Sequence, residues 1–227
     1  MSKTVAHQKV SEEPKQTRRA ADLDASLAAI RACRICRDRP VGSRLPHEPR
    51  PVVRASSTAT ICIAGQAPGV RVHASGMPFT DPSGDRLRAW LGMDAATFYD
   101  ENRVAIIPMG FCFPGQDERG ADLPPRRECP PAWRKDLFAA LPQLDLLLAV
   151  GSYAHAWHLG PLARRTLTET VAAWREIMAV TSRPTVIPLP HPSWRNNAWV
   201  KKNTWFEAEL LPVVREAVAQ NLATREN

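Results

Sequence analysis

Apolar residues along this chain recur in two kinds of pattern. Leu23, Leu27 and Ile30 stand at helical spacing behind Asp22 and Asp24, which predicts a helix over residues 23–32. A proline- and arginine-rich stretch, 39–56, follows and reads as an irregular crossing segment. Residues 58–64 then form a short β-branched apolar run, the mark of a buried strand. Residues 104–107, 144–150 and 185–189 repeat that mark. Between and after them, helical patterns cover 83–91, 131–141, 153–159, 166–178 and 204–221. Alternating strands and helices predict an α/β fold: one three-layer domain with a central, mostly parallel four-stranded sheet flanked by helices. Residues 1–20 carry Lys3, Lys9, Lys15, Arg18 and Arg19 without periodicity, and read as a disordered basic arm ahead of a domain spanning 21–227.

In open parallel sheets the ligand sits beyond the carboxyl ends of the strands. Three unusual loops, 65–85, 108–115 and 190–203, all leave such ends, so they are expected to converge on one site. The first begins Gly65-Gln66-Ala67-Pro68-Gly69, which is neither a dinucleotide fingerprint nor a Walker loop. The last begins Pro190-His191-Pro192-Ser193, where flanking prolines fix the backbone around a histidine.

Composition narrows the partners. With 30 Lys+Arg against 23 Asp+Glu the net charge is +7, and 7 tryptophans include several beside Arg, Asn or Lys. Positive charge interleaved with aromatics suits nucleic acid, although the same charge also serves solubility. No apolar stretch approaches the roughly 20 residues of a spanning helix, and the N-terminus lacks an apolar secretory core. A cytoplasmic, nucleoid-associated location is therefore expected, where thiols stay reduced. Five cysteines then read better as metal ligands than as bridges. Cys33, Cys36, Cys112 and Cys129 could hold a [4Fe–4S] cluster, a tetrahedral zinc ion, or nothing, while Cys62 inside the first strand reads as a small buried hydrophobe.

Taken together, the 65–69 loop, the segment Pro78-Phe79-Thr80-Asp81-Pro82-Ser83-Gly84 and His191-Pro192-Ser193 resemble the uracil-DNA glycosylase superfamily. The resemblance runs from about Cys33 to the last helix. The Cys33-x-x-Cys36 pair with Cys112 and Cys129 is most similar to its iron–sulfur branch, families four and five. The resemblance implies a monofunctional hydrolase that flips uracil, and also hypoxanthine or xanthine, out of DNA and cleaves its N-glycosidic bond in base-excision repair. His191, Gln66 and the loop backbone would stabilise the departing base, and Phe79 and Gly69 would line its pocket. Asp81 or Asp85 would position water. Ser193, Trp194, Arg195 and Asn196 would enter the minor groove, with Lys201 and Lys202 on phosphates.

Two positions depart from the best-studied relatives. Ala67 stands where those carry a carboxylate or Asn, and a methyl group does no proton chemistry. Pro108 stands where uracil-specific relatives carry a base-reading Asn, which implies broader specificity. The implied partner is double-stranded DNA holding deaminated bases, with single-stranded DNA as a second candidate, bound by a monomer without membrane contact. Two rival readings remain open here: a non-turnover uracil-DNA trapping protein of the same fold, and an iron–sulfur structural or redox protein.

Overall fold

The computed structural model describes residues 15–223. The chain opens with α1 (Lys15–Arg31) and a single turn, α2 (Ile35–Asp38), and then crosses to β1 (Ile61–Ala64). After β1 come α3 (Val70–Ser75), α4 (Pro82–Leu91), α5 (Ala95–Phe98) and β2 (Val104–Ile106). Next are α6 (Cys129–Ala139), β3 (Leu146–Val150), α7 (Ser152–Leu159), α8 (Leu167–Ala172), α9 (Trp174–Val180) and β4 (Thr185–Leu189). The chain closes with α10 (Asn197–Lys202) and α11 (Leu211–Ala223). Among the described residues no helix is long and apolar enough to cross a membrane.

The sheet has the order β2-β1-β3-β4 and every pairing is parallel. β1, β2 and β3 are apolar along their whole length because both faces are covered, and β4 departs from this only at its first residue, Thr185. Side chains alternate between the faces with period two. Ile61, Ile63, Leu146 and Leu148 pack with Leu87 and Leu91 of α4 and Val214 and Val218 of α11. Cys62, Ala64, Leu147 and Ala149 pack on the other side with Leu23, Leu27 and Ile30 of α1, Leu137 of α6 and Ala154 of α7. Both sheet edges are managed. Pro188 is tolerated because β4 has no neighbour on its outer side. The β2 edge is covered by Arg54, whose backbone exchanges hydrogen bonds of 3.1 and 2.7 Å with Ile106.

Three sequence expectations need correction. The first helix begins at Lys15, eight residues early, so 15–20 belong to it; the proposed arm otherwise lies outside the described residues. Gln16, Arg18, Arg19, Ala20 and Ala21 are good helix formers, and a helix propagates readily from an end anchored by packing. The helix expected over 166–178 is interrupted at Ala173 (φ −80°, ψ 14°), which sends Trp174 to one face of the sheet and Ile177 to the other. The last helix starts with a π turn over Phe206–Leu210 before α11. Pro212 in the first turn of α11 supplies no N–H, and the widened turn accommodates it.

One buried histidine, His155, and one half-buried, His158, sit on α7 beside the sheet. His155 Nε2 lies 3.0 Å from both the Ala149 and Leu189 carbonyls, tying β3 to β4. Burial lowers its pKa to about 4 and lowers that of His158, beside the buried Arg134, to about 3. A histidine held below its unfolded pKa stabilises the fold fully above about pH 6.5, and loses that contribution as pH falls. For His155 the loss approaches about 3 kcal/mol near pH 4, an upper bound at about 1.4 kcal/mol per unit. The urea midpoint should therefore fall between pH 7 and pH 5, and the His155→Gln, His158→Gln double variant should flatten that fall. A parent protein with a level midpoint across this range would show that these rings are not neutral in the fold.

Candidate active site

The site begins where backbone pairing runs past the ends of the strands. Met109 N–H donates to Gly65 O at 2.9 Å and Gly110 N–H to Gln66 O at 2.8 Å, so the loop after β1 is paired to the loop after β2. Gly151 N–H donates to Leu189 O at 2.9 Å and extends β3 against β4. Gly151 adopts φ +87°, and a Cβ there would collide with the Gln66 side chain, so this glycine lets the first loop approach α7.

Two connected hollows lie above these loops. The larger, of about 550 Å³, is of ligand-binding size and is lined by Gln66, Ser83, Arg86, Ser152, His191 and residues 193–196. The smaller, a slot of about 90 Å³, is lined by 65–69, Val72, Pro78, Phe79, Pro108 and His191. Asp81 and Asp122 face both.

The slot wall is under backbone strain. Phe79 has φ +55°, an uncommon value for a residue with a side chain. Its carbonyl accepts from the Tyr99 hydroxyl at 3.0 Å and Arg88 Nη1 at 3.4 Å, and its ring meets Phe98 edge-on. A Cβ on Gly84 would lie 1.8 Å from that carbonyl oxygen, so α4 reaches Phe79 only because residue 84 is glycine. Asp81 caps α4, its Oδ1 accepting from Ser83 N–H at 3.0 Å and Gly84 N–H at 3.2 Å.

His191 stands two residues beyond the end of β4 and is partly buried. Ser193 N–H donates to its Nδ1 at 3.2 Å, which leaves Nε2 as the N–H donor of the neutral ring. Desolvation holds its pKa below the ordinary value, against the opposing pull of Asp81 and Asp122. The following turn is braced by Asn196 Nδ2 on His191 O at 2.6 Å and Arg86 Nη1 on Ser193 O at 3.3 Å. At its tip Trp194 is 72% exposed, with the Arg195 guanidinium over its ring.

The fold thus gathers Gln66, Ala67, Gly69, Phe79, Asp81, Pro108 and His191 round one slot, and Ser193, Trp194, Arg195 and Asn196 round its mouth. Asp85 is excluded. Its side chain is 78% exposed and pairs with Arg88, because Arg86 and Leu87 take the inward positions of α4. It reaches the site only through Arg88 and the Phe79 carbonyl. Lys201 and Lys202 are exposed on α10, outside both hollows. Asp122 and Arg86 were not anticipated. Asp122 lies seven residues beyond Gly115, the expected end of the second loop.

The family model of the uracil DNA glycosylase superfamily matches residues 53–215. The chain belongs to this superfamily. Membership brings DNA glycosylase chemistry, hydrolysis of a base–sugar bond in DNA, as the general activity. The matched span contains every residue lining the slot except Val52. Of the four cysteines singled out above it contains Cys112 and Cys129, not the first pair.

Cys33, Cys36, Cys112 and Cys129 nonetheless line one cavity, beside Pro49, Pro51 and Arg126. Among the described residues no group of three or more His, Cys, Asp or Glu is arranged to hold a metal ion. Phe111 N–H points to Cys129 Sγ at 3.4 Å. Burial pushes the Cys112 and Cys129 thiols up to about 12.

Gly84→Ala should destabilise the protein by about 1–3 kcal/mol, because α4 must retreat from a backbone oxygen. Chemical denaturation measures this; a variant as stable as the parent would mean that the Phe79 turn has slack.

Proposed function

We propose that this superfamily member is a monofunctional glycosylase that excises uracil, and also hypoxanthine or xanthine, from duplex DNA. The observation that carries the reading is the neutral His191, its Nε2 left as donor at the wall of a base-sized slot. Cleavage leaves negative charge on the departing base, and a preorganised donor at that charge is worth roughly 3–4 kcal/mol. Phe79 offers a ring for stacking. Pro108 offers no donor or acceptor side chain to select uracil, which supports a broader range of deaminated bases. Flipping costs least at mismatched pairs, so G·U and related pairs are favoured substrates. Trp194 at the mouth has the size and exposure to fill the vacated stack, with Arg195 beside it. Lys201 and Lys202, exposed in the last turn of α10, would supply positive charge for phosphates. Such a protein would work in the reducing cytoplasm, on the nucleoid, as a monomer.

A panel of duplexes, each with one deaminated base, should yield abasic sites under single turnover. His191→Ala should lower that rate by about 10²–10³ while leaving damaged-duplex binding nearly intact, since its bond strengthens only as charge develops. Cleavage by the variant at the parent rate would reduce His191 to a packing residue. A parent that retains uracil duplex without cutting it would make the protein a trap, a reading that Ala67 favours.

The four cysteines support placement in the iron–sulfur branch. A single tetrahedral zinc needs its sulfurs about 3.8 Å apart, from a bond of about 2.3 Å. In a [4Fe–4S] cluster each thiolate takes a different iron, and the four thiols round one cavity supply the ligand number that such a cluster takes. When bound it would staple α2 to the Cys112 loop and to α6. Purified protein should be brown and carry iron with acid-labile sulfide, and Cys112→Ala should bleach it and lower its melting temperature. Colourless protein with one equivalent of zinc would assign the same thiols to zinc.

A further inference from the structure

We propose that Asp122 is the carboxylate that orients and deprotonates the attacking water. The inference rests on the glycosylase reading above and deepens it. Hydrolysis at the sugar needs a group that accepts the water's proton, and Ala67 has none. Of the carboxylates that face the slot, only Asp81 and Asp122 are present among the described residues. Asp81 is engaged elsewhere: its Oδ1 caps α4 through Ser83 and Gly84, so moving it would uncap the helix.

Asp122 is differently placed. It stands on a hairpin that leaves the carboxyl end of β2, where Leu123 N–H donates to Gly115 O and Asp117 N–H to Ala121 O, both at 2.9 Å. Gln116 Nε2 donates to its Oδ1 at 3.1 Å and sets the carboxylate plane. Its Oδ2 lies against Gly69, where a Cβ would stand 3.0 Å away. Gly69 is two residues along the loop from Ala67. A carboxylate from a distant hairpin therefore arrives beside the loop that lacks one of its own. It faces both the slot and the cleft, as does His191, and the charge on Asp122 acts on that ring.

In the step that follows, the C1′–N bond breaks and its electron pair leaves on the base, beside the His191 donor. The water oxygen bonds to C1′, and the proton it loses passes to Asp122 and then to solvent. The released base anion takes its proton from solvent. No other reactant is required.

The test uses the full chain with the deaminated duplex it cleaves fastest. Asp122→Asn keeps the acceptor for Gln116 and removes the base. It should lower the single-turnover rate by about 10²–10³, the usual contribution of a positioned general base, with duplex affinity within twofold and an unchanged melting temperature. Adding Ala67→Asp to this variant should recover at least tenfold of the lost rate, which a merely structural defect would not allow. An Asp122→Asn protein that cleaves at the parent rate overturns the assignment while the glycosylase reading stands. A loss that Ala67→Asp leaves unrelieved, or one matched by lost duplex binding, also overturns it. If the parent cleaves no deaminated base, the glycosylase reading fails and Asp122 loses its role with it.

Discussion

The site depends on backbone hydrogen bonds that continue a parallel sheet beyond its strands. Gly65 O and Gln66 O accept from the amides of Met109 and Gly110, and Leu189 O accepts from Gly151 and lies in reach of His155. Parallel strands direct all their carboxyl ends to one edge, so loops remote in sequence arrive side by side. Pairing that persists for one or two residues past each strand removes their freedom to drift apart. Catalytic groups held within a fraction of an ångström need that restraint.

Strain and burial are then placed where chemistry uses them. Phe79 is kept in a left-handed conformation by Tyr99, Arg88 and the close approach of Gly84. The cost of that conformation, of order 1–3 kcal/mol, is offset by the surrounding core and presents a ring to the slot. His191 is held neutral by desolvation against two nearby carboxylates. The balance suits a group that donates a hydrogen bond without carrying charge into the resting site.

The cysteine cavity is joined to the slot by short covalent and hydrogen-bonded paths. Val52, which lines the slot, donates its N–H to Phe111 O at 2.7 Å, and Phe111 N–H points to Cys129. Arg50, beside the cavity-lining Pro49 and Pro51, donates from its guanidinium to the His73 and Ala74 carbonyls at the end of α3. A group held by these thiols would thus brace two walls of the base slot at a distance, without touching the base.

The residues alone determined the strand–helix alternation, because buried parallel strands are apolar on both faces and their runs stand out; 185–189 was placed to the residue. They also determined the two loops at 65–69 and 191–193, whose Gly, Pro and His are locally distinctive. Side-chain direction was decided only by the tertiary structure. Asp81 and Asp85 look interchangeable in sequence, yet Asp81 is the extended N-cap whose side chain turns back onto the first-turn amides at the slot, while Asp85 lies within the helix and pairs with Arg88 in water. Asp122 left no local mark at all. It joins His191 because a hairpin folds back over the β1 loop, and such a contact between distant segments exists only once the sheet has brought its strand ends together.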